Sequence, residues 1–203
     1  MPDTGAPWNI PYVESTDLVS DWPTDSLALA NAIDAALDTA GASGGLVDVK
    51  HVLKTDAFTS GSLSAGASTQ ITGTSITHEV ADAANKLILI AHIGAAQGSG
   101  YLGQAGFAFH DGTNLLGRGD AASSRTRVVA GGYTAGTTVF QRIVNTLAGT
   151  IVHTPGTGSK TYSLYVMNVN NGTATMYVNR TGGGTDANNP SASTSLTLLE
   201  VSV

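Results

Sequence analysis

Cysteine is absent, which removes disulfide frameworks, thiolate metal sites and thiol nucleophiles. Charge is scarce: charged residues are 12% of the chain, against about a quarter in ordinary domains. Aromatic residues are few, at 6%. No apolar run approaches the roughly 20 residues that a membrane-spanning helix needs. The opening MPDTGAPWNIPYVE lacks the basic start and apolar stretch of a signal peptide. The expectation is a protein made in the cytoplasm, without membrane insertion, that stays soluble or leaves by lysis or on a particle. Bases are missing altogether from residues 1–45, which hold Asp3, Glu14, Asp17, Asp21, Asp25, Asp34 and Asp38. Residues 46–203 are nearly neutral, with nine bases against eight acids. Neither part is the basic surface that nucleic acid requires, and the split predicts two modules, 1–45 and 46–203.

What is present fits that division. Both tryptophans, Trp8 and Trp22, lie in the first module with Ile10, Tyr12, Pro7, Pro11 and Pro23. Proline and pre-proline positions favour extended backbone. Rigid aromatic anchors on such a peptide suit docking onto another surface; the alternative is that the rings fold back on their own domain. TDSLALANAIDAALDTAG follows. Leu29, Ile33, Ala36 and Ala40 share one stripe, which predicts a short amphipathic helix from about Thr24 to Ala40. A helix of this length needs tertiary support. GASGG, Gly41 to Gly45, reads as a hinge.

From Leu46 onward the chain reads as all-β, a sandwich or barrel. TYSLYVMNVNNGTATMYVN predicts a hairpin with a primed turn at Asn171-Gly172. GFAFHDGTNLL predicts another at Asp111-Gly112. LILIAHI, Leu87 to Ile93, is apolar on both faces and predicts a strand covered on both sides, the second by another subunit. In SLTLLEVSV the apolar phase shifts from Leu196 and Leu198 to Leu199, Val201 and Val203, which predicts a β-bulge.

Catalytic patterns do not hold up in context. Ser43 in GASGG has the elbow spacing, but a helix precedes it and a strand follows, the reverse of what the elbow needs. GTGSKT, Gly156 to Thr161, precedes a strand, so no helix N-terminus awaits a phosphate. The five histidines lie at no metal-binding spacing. The acids of the β module sit mostly in separate turns, unlike the paired carboxylates of glycosidases. No enzyme activity, metal or other cofactor is expected. Asn171-Gly172-Thr173 and Asn179-Arg180-Thr181 are sequons by pattern only, and Arg118-Gly119-Asp120 is too short a match to integrin-binding tripeptides to carry weight.

WNIPYVESTDLV followed by LALANAIDAAL resembles the start of phage fibre and minor tail proteins that attach to the virion by their N-termini. SITHEVADAANKLILIAHI (Ser75 to Ile93), GDAASSRTR (Gly119 to Arg127), YVNRTGGGTD (Tyr177 to Asp186) and LTLLEV (Leu196 to Val201) resemble phage head- and tail-fibre domains with a trimeric, C1q/TNF-like jelly roll. The resemblance implies an antiparallel jelly-roll sandwich of residues 46–203 behind an extended anchor and one short helix, assembled as a homotrimer. It implies a virion-surface fibre or spike that binds a host-surface glycan or receptor. The alternatives are a capsid decoration or head-fibre protein and, further off, a polysaccharide depolymerase. Trp8, Ile10, Tyr12 and Trp22 would dock on another virion protein of the capsid, portal or tail. Arg118, Arg125, Arg127 and Arg180 would bond Asp120, Asp186 and loop carbonyls within and between subunits, because a planar guanidinium satisfies several acceptors at once. The competing expectation for GRGDAASSRTR is a receptor loop facing anionic host glycans.

Overall fold

The computed structural model describes residues 27–35, 45–94, 97–98, 104–132, 145–180 and 191–203. Trp8, Ile10, Tyr12, Trp22, Asp186 and residues 41–44 of the expected hinge lie outside the described residues. Among those described are one helix, α1 (27–35), and thirteen strands. In chain order the strands are β1 (Leu46–Lys54), β2 (Phe58–Leu63), β3 (Ser68–Gln70), β4 (Ile76–Val80), β5 (Lys86–Ile93), β6 (Gln97–Gly98) and β7 (Ala105–His110), then β8 (Leu115–Leu116), β9 (Ala130–Gly132), β10 (Leu147–His153), β11 (Gly158–Asn168), β12 (Ala174–Val178) and β13 (Thr194–Val201). The protein is mostly antiparallel β with one short helix, an arrangement consistent with a β-sandwich.

Two compact units emerge. One is Val47–Glu200; the other joins Val201–Val203 to the chain up to Leu46. In the smaller unit, α1 covers the centre of the expected helix, and its apolar Leu27 and Ile33 are exposed. Gly45 and Ser202 exchange backbone and hydroxyl hydrogen bonds at 3.0 Å.

In the larger unit, β1, β13, β5 and β10 lie side by side in that order. A six-stranded sheet runs β3-β11-β7-β8, with β4 also paired to β11 and β9 to β7, and a third runs β2-β12-β6. Period-two patterning decides which side chains face inward. Ile76 and Val80 on β4, Leu87, Leu89, Ala91 and Ile93 on β5, Ala174, Met176 and Val178 on β12, and Leu196 and Leu198 on β13 alternate into one buried cluster. Each large buried side chain contributes about 1.5–3 kcal/mol relative to exposure. Phe107 and Phe109 of β7 meet edge to face at 5.6 Å in its middle. Gly149 on β10 makes room for that pair: a Cβ there would stand 2.5 Å from Val129 and 3.1 Å from the Phe107 ring.

Three expectations change. β11 and β12 do not form a hairpin. β11 pairs with β3, β4 and β7, and β12 with β2 and β6, so the chain crosses between sheets at 169–173. Neither Asn171 nor Gly172 has the positive φ of a primed turn. The crossing is held by Asn168, whose amide donates to Leu63 O and Gly172 O at 2.8 Å. The hairpin of β7 and β8 exists, but its turn spans 111–114. There the Asp111 carboxylate accepts from the backbone of Thr113 and Asn114, in place of a two-residue turn. In β13, burial alternates without a phase change from Thr194 to Val201. The inward position past Leu198 belongs to Glu200, which is 2% exposed, while Leu199 and Val201 are half-buried on the opposite face. An apolar count across SLTLLEVSV misplaces the phase because a carboxylate occupies a core position. This last strand is inserted between two others, β1 and β5.

Candidate functional site

Three of the nine bases converge in one cleft. The loop from β8 to β9 carries Arg118, Arg125 and Arg127, and its ends are tied together: Gly119 N donates to Val128 O at 3.2 Å, and Val129 N to Phe107 O at 2.8 Å. Gly117 opens the loop at φ 70, where a Cβ would lie 2.4 Å from Ile151, so only glycine fits both the angle and the space. Arg125 N closes a tight turn onto Ala122 O, with Ser123 at φ 54. Arg127 Nε donates to Gly119 O at 2.6 Å and so braces the loop from inside. Opposite stands the Ala65-Gly66 turn, fixed by Gly66 N donating to Asn168 O at 2.9 Å. Met167, Asn170 and Asn171 complete the lining with Ser124 and Thr126, around a cavity of about 330 Å³.

Among the described residues no acidic side chain lines this cleft, and none of their ion pairs includes Arg118, Arg125 or Arg127. The buried Nε of Arg118 has no hydrogen-bond partner among the described residues. Of the expected contacts, the bond of Arg127 to a loop carbonyl is present. Asp120 is exposed and makes no ion pair with these arginines within the chain. Arg180 lies apart from the cleft lining and sits over the Tyr177 ring, 5.5 Å from its centroid.

Two buried polar centres escaped the sequence. Asn179, beside Arg180 in YVNRTGGGTD, is 1% exposed at φ 61. Its amide donates to Lys54 O (3.0 Å) and Asp56 O (3.1 Å), its carbonyl oxygen accepts from Thr194 Oγ1 (2.7 Å), and its backbone N–H donates to Gly94 O (2.9 Å). One residue thus ties the ends of β1, β5 and β12 to the start of β13. Next to it the Lys54 ammonium, 2.6 Å from Asp56, holds that carboxyl below its usual pKa. The second centre is His78, whose Nε2 is 2.7 Å from Glu200 Oε2, while Asn85 Nδ2 donates to Glu200 Oε1 at 2.7 Å. Asp48 Oδ2 stands 3.4 Å from His78 Nδ1 without a hydrogen bond. The order carboxylate–histidine–carboxylate resembles a catalytic relay. Its core members are only 2% exposed, however, which keeps substrate out, and the contacts tie β4 to β13. A third polar pair faces inward near the β7–β8 turn. His153 meets Tyr162 edge-on at 6.0 Å. Burial lowers the imidazole's pKa against the pull of Asp111 and pushes the Tyr162 hydroxyl up to about 12, with the Asp111 charge adding to it.

The outer face of the β1-β13-β5-β10 sheet carries exposed apolar side chains interleaved with exposed His51, His92 and Thr150. Val47, Val49 and Leu53 on β1, Ile90 on β5 and Val152 on β10 are exposed at 53%, 49%, 57%, 39% and 68%. Ile90 lies opposite Thr150, two residues from Val152. LILIAHI therefore buries one face, and this chain leaves the other partly uncovered. Among the described residues no His, Cys, Asp or Glu group has the arrangement of a metal site, and no helix is long and apolar enough to cross a membrane. No protein family and no curated protein matches the chain.

Proposed function

We propose that this protein is a short homotrimeric fibre or spike on the surface of a tailed-phage virion, attached through residues 1–45 and displaying a jelly roll that adheres to the host. The observation that carries this reading is the set of exposed apolar side chains on the outer face of the β1-β13-β5-β10 sheet. A row of exposed Val, Leu and Ile on a packed sheet costs solubility unless another chain covers it. Covering by copies of the same chain suits a closed, symmetric assembly. Strand order supports the jelly roll. Numbering β1, β4, β5, β7, β9, β10, β11 and β13 from one to eight, the sheets run 1-8-3-6 and 2-7-4-5, the order of two interlocked Greek keys. The β12 strand, paired with β2 and β6, is an addition to that plan.

Light scattering on the full chain is expected to give three copies, and Val49→Glu with Ile90→Glu to give monomers that stay folded. A well-folded wild-type monomer at micromolar concentration would refute the assembly. Immunogold labelling of virions is expected to mark the tail; label spread over the head would replace the adhesin with a capsid decoration protein.

A further inference from the structure

We propose that the cleft of Arg118, Arg125 and Arg127 binds an acidic sugar, its oxyanion held by guanidinium groups and its hydroxyls by the surrounding amides and hydroxyls. The inference rests on the host-attachment reading for the source of the sugar, the polysaccharide of a cell surface. Four observations carry it.

The first is charge. In a chain of net charge −6, three of nine bases line one cavity, and among the described residues no acid lines it with them. Like charges held together without counter-charges repel one another, and an anionic ligand relieves that repulsion. The second is donor chemistry. All three bases are arginine, whose planar fork matches a carboxylate or sulfate oxygen pair. Arg127 uses its Nε to brace the loop at Gly119 O, and its guanidinium has no other hydrogen bond among the described residues. Arg118 Nε is buried with no partner among the described residues. The third is the remainder of the lining. Asn170, Asn171, Ser124 and Thr126 offer both donors and acceptors, as sugar hydroxyls require. The fourth is size and composition. A cavity of about 330 Å³ suits one or two sugar units. It holds no aromatic ring, so it lacks the stacking platform of a single-stranded nucleic-acid groove.

The loop is set in place before any ligand arrives. Gly117, the Gly119–Val128 bond and the Arg127 brace fix it, so little ordering opposes binding.

The test is titration calorimetry on the purified full-length chain with three probes: a galacturonic acid tetramer, its methyl ester, and a sulfated oligosaccharide. Inorganic phosphate serves as the bare-oxyanion control. Binding of the free-acid tetramer, its loss on esterification, and a drop of about tenfold or more in Arg118→Ala support the site, since a charge-assisted contact commonly contributes that much. Affinity for the sulfated probe above that for the free acid also supports it and names sulfate as the oxyanion. Equal affinity for acid and ester overturns the proposal, and so does inorganic phosphate binding as tightly as any sugar. Arg118→Ala could disturb the loop, so Ser124→Glu, an exposed lining position, provides a second arm; it is expected to abolish binding with unchanged melting temperature and unchanged mass in solution. Retained binding in Ser124→Glu overturns the site. Binding of the tetramer without any adhesion of the protein to cells supports the cleft and refutes host attachment. Adhesion that survives Ser124→Glu keeps host attachment and overturns the cleft as its receptor site.

Discussion

Replacing Asn179 should separate two contributions that are usually entangled. Its side chain makes three hydrogen bonds, to Lys54 O, Asp56 O and Thr194 Oγ1, in a site that is 1% exposed. At a net value of about 1 kcal/mol each, their loss costs about 3 kcal/mol, and somewhat more where a buried carbonyl is left unpaired. The backbone at φ 61 adds a second cost for any residue with a Cβ that cannot bond locally, roughly 1–2 kcal/mol. Glycine escapes that strain, although it gives back about 0.5–1 kcal/mol through the freedom of the unfolded chain. Asn179→Ala should therefore cost about 4–5 kcal/mol and Asn179→Gly about 3–4. Asn179→Asp should be the worst of the three, since it sets a buried carboxylate against two carbonyl oxygens and loses the amide donor. Urea unfolding at one fixed protomer concentration measures the series, because the stability of the proposed trimer would depend on concentration. Alanine proving as stable as glycine, or aspartate as stable as asparagine, would show that Asn179 does not hold the strand ends as described.

Four further outcomes follow from the interior. Glu200→Ala strands the Asn85 amide and His78 Nε2 inside the sandwich and should cost about 3 kcal/mol or more, with a coupling of about 1–3 kcal/mol to His78→Ala in a double-mutant cycle. Gly149→Ala should cost about 1–3 kcal/mol by overpacking against Val129 and Phe107, whereas Gly61→Ala, with open space around its Cβ, should be nearly neutral by thermal melting. His153, with its pKa lowered by burial, should be charged more readily in the unfolded chain. Its contribution is then intact above the unfolded pKa near 6.5 and is lost as the pH falls through the lower folded value, a slope that His153→Phe should flatten. Tyr162 has the opposite sign. Its folded pKa of about 12 exceeds the unfolded 10, so stability should fall as the pH rises between them, and Tyr162→Phe should remove that fall.

The alternation of β12 is visible in the sequence because Ala174, Met176 and Val178 face inward, whereas β5, which buries every second side chain, reads as apolar on both faces because Ile88 and Ile90 occupy its outward positions. Pairing was harder to read. Asn171-Gly172 is a strong local hairpin signal, but β11 and β12 have partners drawn from different sheets, a long-range choice that no turn dipeptide encodes. Glu200 was misread for the same reason in reverse: a carboxylate in a core position looks like a break in phase unless His78 and Asn85, more than a hundred residues away, are known to meet it. The arginine loop announced itself by composition. Its neighbours did not, since the cleft is closed by a turn at Ala65-Gly66 and by residues 167–171 that nothing local connects to Arg118.

The proposed assembly face and the proposed sugar cleft draw on different strands. The assembly face belongs to β1, β13, β5 and β10, whereas the cleft is built from the β2–β3 turn, the β8–β9 loop and the crossing from β11 to β12. Assembly therefore need not consume the cleft, and each protomer of a trimer would bring its own. A single cleft open enough to admit a sugar, with two of its three arginines exposed, gains only modest free energy from charges that water and salt screen. In the proposed trimer, three such clefts on one rigid body would meet a repeating polysaccharide at an effective concentration that can reach the millimolar range, so weak sites would add up to firm attachment that still releases one site at a time. Weakness at each cleft is what the proposed trimeric adhesin predicts, and tight binding by an isolated protomer would leave that trimer without a role in recognition.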